Sequence, residues 1–225
     1  MSLVISFLNQ KGGVGKSTLS INVAACLNLM GHKVLLIDAD KQGTVSTWAS
    51  LREETGFRVV SMARENMARD AIKLAADFDF TIIDGPPQAE TISRSCIVAS
   101  DLVIVPIEPG GASLWSSNLT IRQLKEAQEL KPTLKCGFVV SRKIGTTVLG
   151  RDTRNMAADA GIRTFQTEIE QRIAYAEALT MGKTIFEWSG RSPAAREIQT
   201  LTRELLDVFN EQNIHTSTQA SAANG

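Results

Sequence analysis

The sequence predicts an α/β fold, a mostly parallel twisted sheet flanked by helices. Three observations predict it. Short runs rich in Val and Ile recur along the 225 residues, separated by segments with helical spacing. Those runs have few polar interruptions, which is how strands covered on both faces read. A hydrophobic content of 43% supplies the core such a sheet needs, yet no apolar run approaches a membrane span.

The first strand is placed at 3–8 (LVISFL), and a helix follows over 16–30. The second strand, 33–38 (KVLLID), leads to a helix at 44–54 and a weaker strand at 57–61 (FRVVS). A helix at 66–77 precedes the strand 80–84 (FTIID); another at 90–99 precedes the strand 102–107 (LVIVPI). Then come a helix at 114–130, the strand 136–140 (CGFVV) and a helix at 150–160. Right-handed crossovers gather the loops after the strands on one edge, where ligands bind. After residue 165 the pattern turns helical, with Pro193 placed in a first turn and Ser192 as its cap. Neither repeats nor a linker divide the chain. Residues 1–212 are expected to form one domain, and 213–225 (NIHTSTQASAANG) a disordered polar tail.

Composition narrows the function classes. Formal net charge is zero, so any nucleic-acid contact must come from a local patch. Cys26, Cys96 and Cys136 are scattered without a CxxC, which favours reduced, buried thiols in a cytosolic protein over a zinc site or disulfides. The opening MSLVISFLN has neither a charged n-region nor a cleavage site, so no export signal is expected.

The chemistry is concentrated in KGGVGKST, Lys11 to Thr18, between a predicted strand and a predicted helix. That context suits a phosphate-binding loop. Glycines let backbone N–H groups converge on a phosphate where any Cβ would obstruct, and the helix N-terminus favours negative charge. Lys16 is placed on the β- and γ-phosphates, and the Ser17 hydroxyl on Mg²⁺. Carboxylates at neighbouring strand ends complete such a site: Asp38 and Asp40 in LLIDAD, and Asp84 in TIIDGPP.

With these three motifs together, residues 2–210 resemble the ParA/MinD family of P-loop ATPases with a deviant Walker A motif, in particular the small ParF/Soj-like partition ATPases. The resemblance implies ATP and Mg²⁺ as cofactors, bound by Gly12, Gly13, Val14, Gly15, Lys16, Ser17 and Thr18. It implies that Lys11 reaches across an ATP-dependent homodimer to the partner's phosphates. By the same resemblance Asp40 orients the hydrolytic water, Asp38 and Asp84 join Ser17 in the magnesium shell, and Ser141 and Arg142 meet the adenine. Two departures stand out. Lys41 replaces the usual proline after the second Asp, and Ser141 stands where many relatives have Asn.

Three uses of such an assembly compete. A cluster-carrying electron-transfer ATPase needs two matched thiolates per subunit, and Cys96 and Cys136 carry no such motif. A membrane-positioning ATPase needs a basic amphipathic C-terminal helix, but TLTRELLDVFNE (200–211) carries one Arg against three acids. DNA-based partitioning fits best. Residues 122–151 hold seven Lys/Arg against two Glu, and Arg172, Lys183, Arg191, Arg196 and Arg203 follow. The expected protein is cytoplasmic and nucleoid-associated. It binds DNA non-specifically, uses no membrane, and segregates a plasmid or, as alternatives, spaces a chromosome or protein cargo. A ParB-like adaptor is expected to stimulate hydrolysis. The chain is too short at its front for a helix-turn-helix extension, so operator binding is not expected.

Overall fold

A computed structural model describes residues 2–110, 117–145 and 162–222, with side chains as far as Asn210 in the last helix. Seven strands follow the chain: β1 (Leu3–Phe7), β2 (Val34–Asp38), β3 (Arg58–Ser61), β4 (Phe80–Asp84), β5 (Leu102–Ile107), β6 (Lys135–Lys143) and β7 (Arg163–Glu170). Between and after them lie α1 (Lys16–Leu29), α2 (Thr44–Ser50), α3 (Met67–Ala75), α4 (Glu90–Ala99), α5 (Asn118–Leu130), α6 (Ile173–Thr180), α7 (Ile185–Ser189) and α8 (Pro193–Ala222). The strands form one sheet in the order β3-β2-β4-β1-β5-β6-β7, and every pair is parallel.

The two-faced burial expected from the apolar runs is present. Ile5 and Phe7 of β1 join a core with α1, α2, α7 and α8, while Val4 and the following Leu8 join a second core with α3, α4 and α5. Successive strand side chains alternate faces, so a sheet covered on both sides buries nearly every position. The central position of β1, between β4 and β5, sets its C-terminal end at the point where connections leave in opposite directions. The loop after β1 therefore opens into a crevice.

Several boundaries differ from the sequence reading. α2 ends at Ser50 rather than 54; just beyond it the Arg52 guanidinium donates to Glu187 (2.6 and 2.9 Å) and stacks on Trp48. The helix expected at 150–160 lies outside the described residues, as does the start of the one expected at 114. The main correction is β7, which falls where a wholly helical pattern was expected. Only Phe165 and Ile169 of this strand are buried, so its apolar signal is two residues four apart, as compatible with helix as with strand. It is an edge strand, and α8 covers its open N–H groups with carboxylates. Gln166 N and Thr167 N donate to Glu204 (2.5 and 3.0 Å), and Glu170 N to Glu197 (3.3 Å).

Pro193 does open α8, and the Ser192 hydroxyl accepts from Ala195 N at 3.2 Å. The helix continues to Ala222, past the point where 213–225 was expected to be unstructured. No Pro or Gly interrupts residues 194–222, so nothing in the backbone forces a stop. The apolar stripe of α8 belongs to the core: Leu201, Leu205 and Val208 are buried against α1 and the sheet. No described helix is long and apolar enough to cross a membrane.

Candidate functional site

The loop after β1 bends back on itself through Gly13 (φ +77°) and Gly15 (φ +93°), backbone that side-chained residues rarely adopt. A Cβ on Gly15 would stand 2.9 Å from the Ser141 Oγ, so this glycine also permits a close approach. Val14 is buried beneath the turn, while Gly12 has open space around it. Gly15 leads directly into α1, and no side chain caps the first N–H groups of that helix among the described residues. Those donors and the helix dipole face the crevice.

Lys16 lies inside this cradle. Its ammonium is buried and donates to the Lys11 carbonyl at 3.0 Å. Burial pulls its pKa down, against the opposing pull of Asp84 and then Asp40. A desolvated cation held among N–H donors is poised for an anion. Lys11 behaves differently: its side chain leaves the cradle, is 39% exposed, and pairs with Glu108. Asn9 sets the loop's first step, taking the Lys11 N–H at 3.0 Å and donating to Pro106 O at 2.7 Å.

The acidic residues stand at adjacent strand ends, where β2 and β4 register Asp38 against Asp84. Asp84 is fully buried and accepts from the hydroxyls of Ser17 (2.6 Å) and Ser20 (3.1 Å) of α1. Burial raises its pKa to about 7; Asp38 adds to the rise, while Ser17, Lys16 and Ser20 hold it down. Asp38 is also buried, but its bonds come from its own loop: Ser46 N and Oγ at 2.7 and 2.6 Å, and Asp40 N at 3.2 Å. It fixes the segment that carries Asp40. Asp40 itself is partly exposed and accepts from Gln42 N at 3.0 Å, and the following Lys41 is exposed.

A cleft of about 570 Å³ continues from Gly13, Gly15 and Thr18 past Arg142 and Ile144 to Ile173 and Tyr175. That size suits a nucleotide-sized ligand. Arg142 adopts φ +57° and donates to Gly13 O at 2.6 Å, bracing the loop from β6. Ser141 is buried beneath Gly15, so it shapes the cleft floor. The far wall, from β7 and α6, was missed in the sequence because β7 itself was missed. Tyr175 is anchored there by Ala194 O at 2.9 Å and Glu197 at 3.2 Å.

Among the described residues, no three His, Cys, Asp or Glu side chains converge as a metal site. Cys26 and Cys96 are buried and Cys136 is half-buried, and burial raises each thiol, Cys96 to about 12. A cation here would depend on the Ser17 hydroxyl, whose proton is already turned to Asp84, and on ligand oxygens. That donor set fits magnesium carried by a nucleotide. Residues 5–185 match the model described as the CobQ/CobB/MinD/ParA nucleotide binding domain.

The chain belongs to that family. It is a ParA/MinD-type P-loop ATPase. The chain is 28% identical to the chromosome-partitioning ATPase Soj of Thermus thermophilus, covering 92% of this chain and 96% of Soj. It is 27% identical to maintenance of carboxysome distribution protein A of Halothiobacillus neapolitanus, covering 91% and 97%. Among solved structures, the Pyrococcus horikoshii septum site-determining protein MinD, complexed with Mg-ADP, superposes with a TM-score of 0.72. That likeness is at 21% identity, over 91% of this chain and 96% of MinD.

Proposed function

We propose that this ATPase binds ATP with Mg²⁺, dimerises through it, and moves a DNA cargo, a plasmid or a chromosome, over non-specifically bound DNA. The observation that carries the reading is the divergence of the two loop lysines. Lys16 is buried in the cradle, whereas the Lys11 side chain is 39% exposed and pairs with Glu108, within reach of a second subunit. A cation supplied in trans neutralises phosphate only when two loaded subunits face each other, so nucleotide state becomes assembly state. Bound magnesium would spread the phosphate charge and polarise the bond to be broken. The chain's own residues do the rest. Ser17 presents its hydroxyl to the cation with Asp84 behind it, and Asp38 holds the Asp40 loop so that Asp40 orients water. Arg142, Ile173 and Tyr175 enclose the base.

Asp40→Ala is expected to bind ATP normally but hydrolyse it at least about a hundredfold more slowly, since a positioned base contributes roughly 10²–10⁴-fold. Dimer should accumulate in light scattering. Normal turnover in this variant would assign water positioning elsewhere.

Within this reading, the exposed arginines of the C-terminal part are better candidates for DNA contact than the run 122–151. Much of the basic run 122–151 is internally engaged: Lys131 with Asp101, Arg142 with Glu108, and Lys143 with Glu168. Arg172 is locked to Glu197 at 2.6 Å. Arg191, Arg196 and Arg203 are exposed instead, and Arg196 reaches Arg191 O at 2.7 Å. Arg196 and Arg203, seven apart, share one face of α8. With ATP, the parent should retard unrelated duplex DNA and lose it steeply as salt rises. Replacing the three arginines by Ala should weaken binding on any sequence and flatten the salt slope; an unchanged slope would move the surface elsewhere. Sedimentation with anionic vesicles instead of DNA would favour a membrane role. A ParB-like adaptor would supply the signal for hydrolysis. A second reading, spacing of a protein cargo on DNA, is favoured by the near full-length likeness to the carboxysome distribution protein.

A further inference from the structure

We propose that Glu108 is a positioning residue for the front lysine, holding Lys11 on its own subunit until a nucleotide-loaded partner offers phosphate. The proposal rests on the trans-lysine reading above and adds what keeps that lysine out of its own site. Lys11 and Lys16 share one short loop, so a phosphate in the cradle would draw both. Only Lys16 is buried there, while the Lys11 ammonium pairs with a Glu108 oxygen just beyond β5. The other Glu108 oxygen lies 3.6 Å from Arg142 Nη1, and that same nitrogen donates to Gly13 O at 2.6 Å. One carboxylate thus ties together the front lysine, the β6 arginine and the phosphate loop.

The pair is built for exchange. The Lys11 and Glu108 side chains are 39% and 27% exposed, so water screens their attraction. An ion pair so exposed favours the held state by a factor of up to about five. A triphosphate at a closing interface carries more negative charge than one carboxylate and is shielded from water, so it wins the lysine once presented. Without a loaded partner, Glu108 keeps it. The lysine's position therefore reports the partner's nucleotide and not its own.

The test uses the full chain with Mg²⁺ and a non-hydrolysable ATP analogue at saturation, and reads the dimer dissociation constant by sedimentation velocity. Glu108→Gln keeps the shape but removes the competing charge; because each of the two subunits releases one such pair, the dimer should tighten by about threefold to twenty-fivefold. Glu108→Asp keeps the charge and should remain within about twofold of the parent, which a merely structural role would not produce. The gain should persist in an Arg142→Gln background. An unchanged or weaker dimer in Glu108→Gln overturns the proposal. So does a gain that vanishes with Arg142→Gln, because the effect would then run through the arginine. Lys11→Ala separates the two claims. A dimer that forms without Lys11 brings down the trans-lysine reading; a Lys11-dependent dimer that Glu108→Gln fails to tighten brings down the role of Glu108 alone.

Discussion

Lys16→Ala should abolish ATP·Mg²⁺ binding while leaving the fold intact. The Lys16 ammonium is buried in the cradle, its hydrogen bond goes to the Lys11 carbonyl, and burial already disfavours its charge. Deleting a desolvated cation removes little that the apo fold depends on. Bound phosphate, by contrast, loses its principal partner inside a site shielded from water. Breaking a buried charge pair from one side costs about 3–5 kcal/mol, roughly a hundredfold to a few thousandfold in affinity. Isothermal titration with ATP·Mg²⁺ measures the loss, and thermal unfolding followed by circular dichroism checks that the fold survives. Parent-like affinity would overturn the assignment of the cradle.

The cradle was legible in the sequence because its chemistry is local. Gly13 and Gly15 announce backbone that needs positive φ, and Lys16 and Ser17 follow within two residues. Asp84 was legible for a related reason: an apolar run ending in a carboxylate places that carboxylate on the loop edge, and the register of β4 against β1 brings it to α1. Partners distant in sequence were not legible. Asn9 orders the loop through Pro106, and Glu108 meets Lys11 across 97 residues. Tyr175 enters the cleft wall only because β7 turns into α6 beside it. The strand β7 was lost because its outward face is polar and its open edge is satisfied by Glu204 and Glu197, which nothing local in RTFQTEIE foretells. The basic run at 122–151 shows the opposite failure. Counting charges overstated the patch, since Lys131, Arg142 and Lys143 each face an acid in the fold.

Lys11→Ala should separate nucleotide binding from assembly. Removing its side chain leaves Lys16, the uncapped N–H groups of α1 and the Ser17–Asp84 pair in place, so the monomer should bind ATP with near-parental affinity. The backbone carbonyl that receives Lys16 is untouched by the substitution, which keeps the cradle's cation where it was. Two triphosphates brought face to face would then lack a cation between them, at a cost of about 2–5 kcal/mol once water is excluded. That corresponds to a dimer weakened roughly thirtyfold to several thousandfold. DNA retardation should fall with it, because the avidity of two linked DNA surfaces is lost even though each arginine face of α8 is intact. Titration calorimetry, sedimentation velocity and gel retardation on the same preparation read the three steps separately. Lys16→Ala fails at the first step, whereas Lys11→Ala passes it and fails at the second. A Lys11→Ala protein that dimerises with ATP and retards DNA like the parent would leave Lys11 as a surface cation that merely balances Glu108.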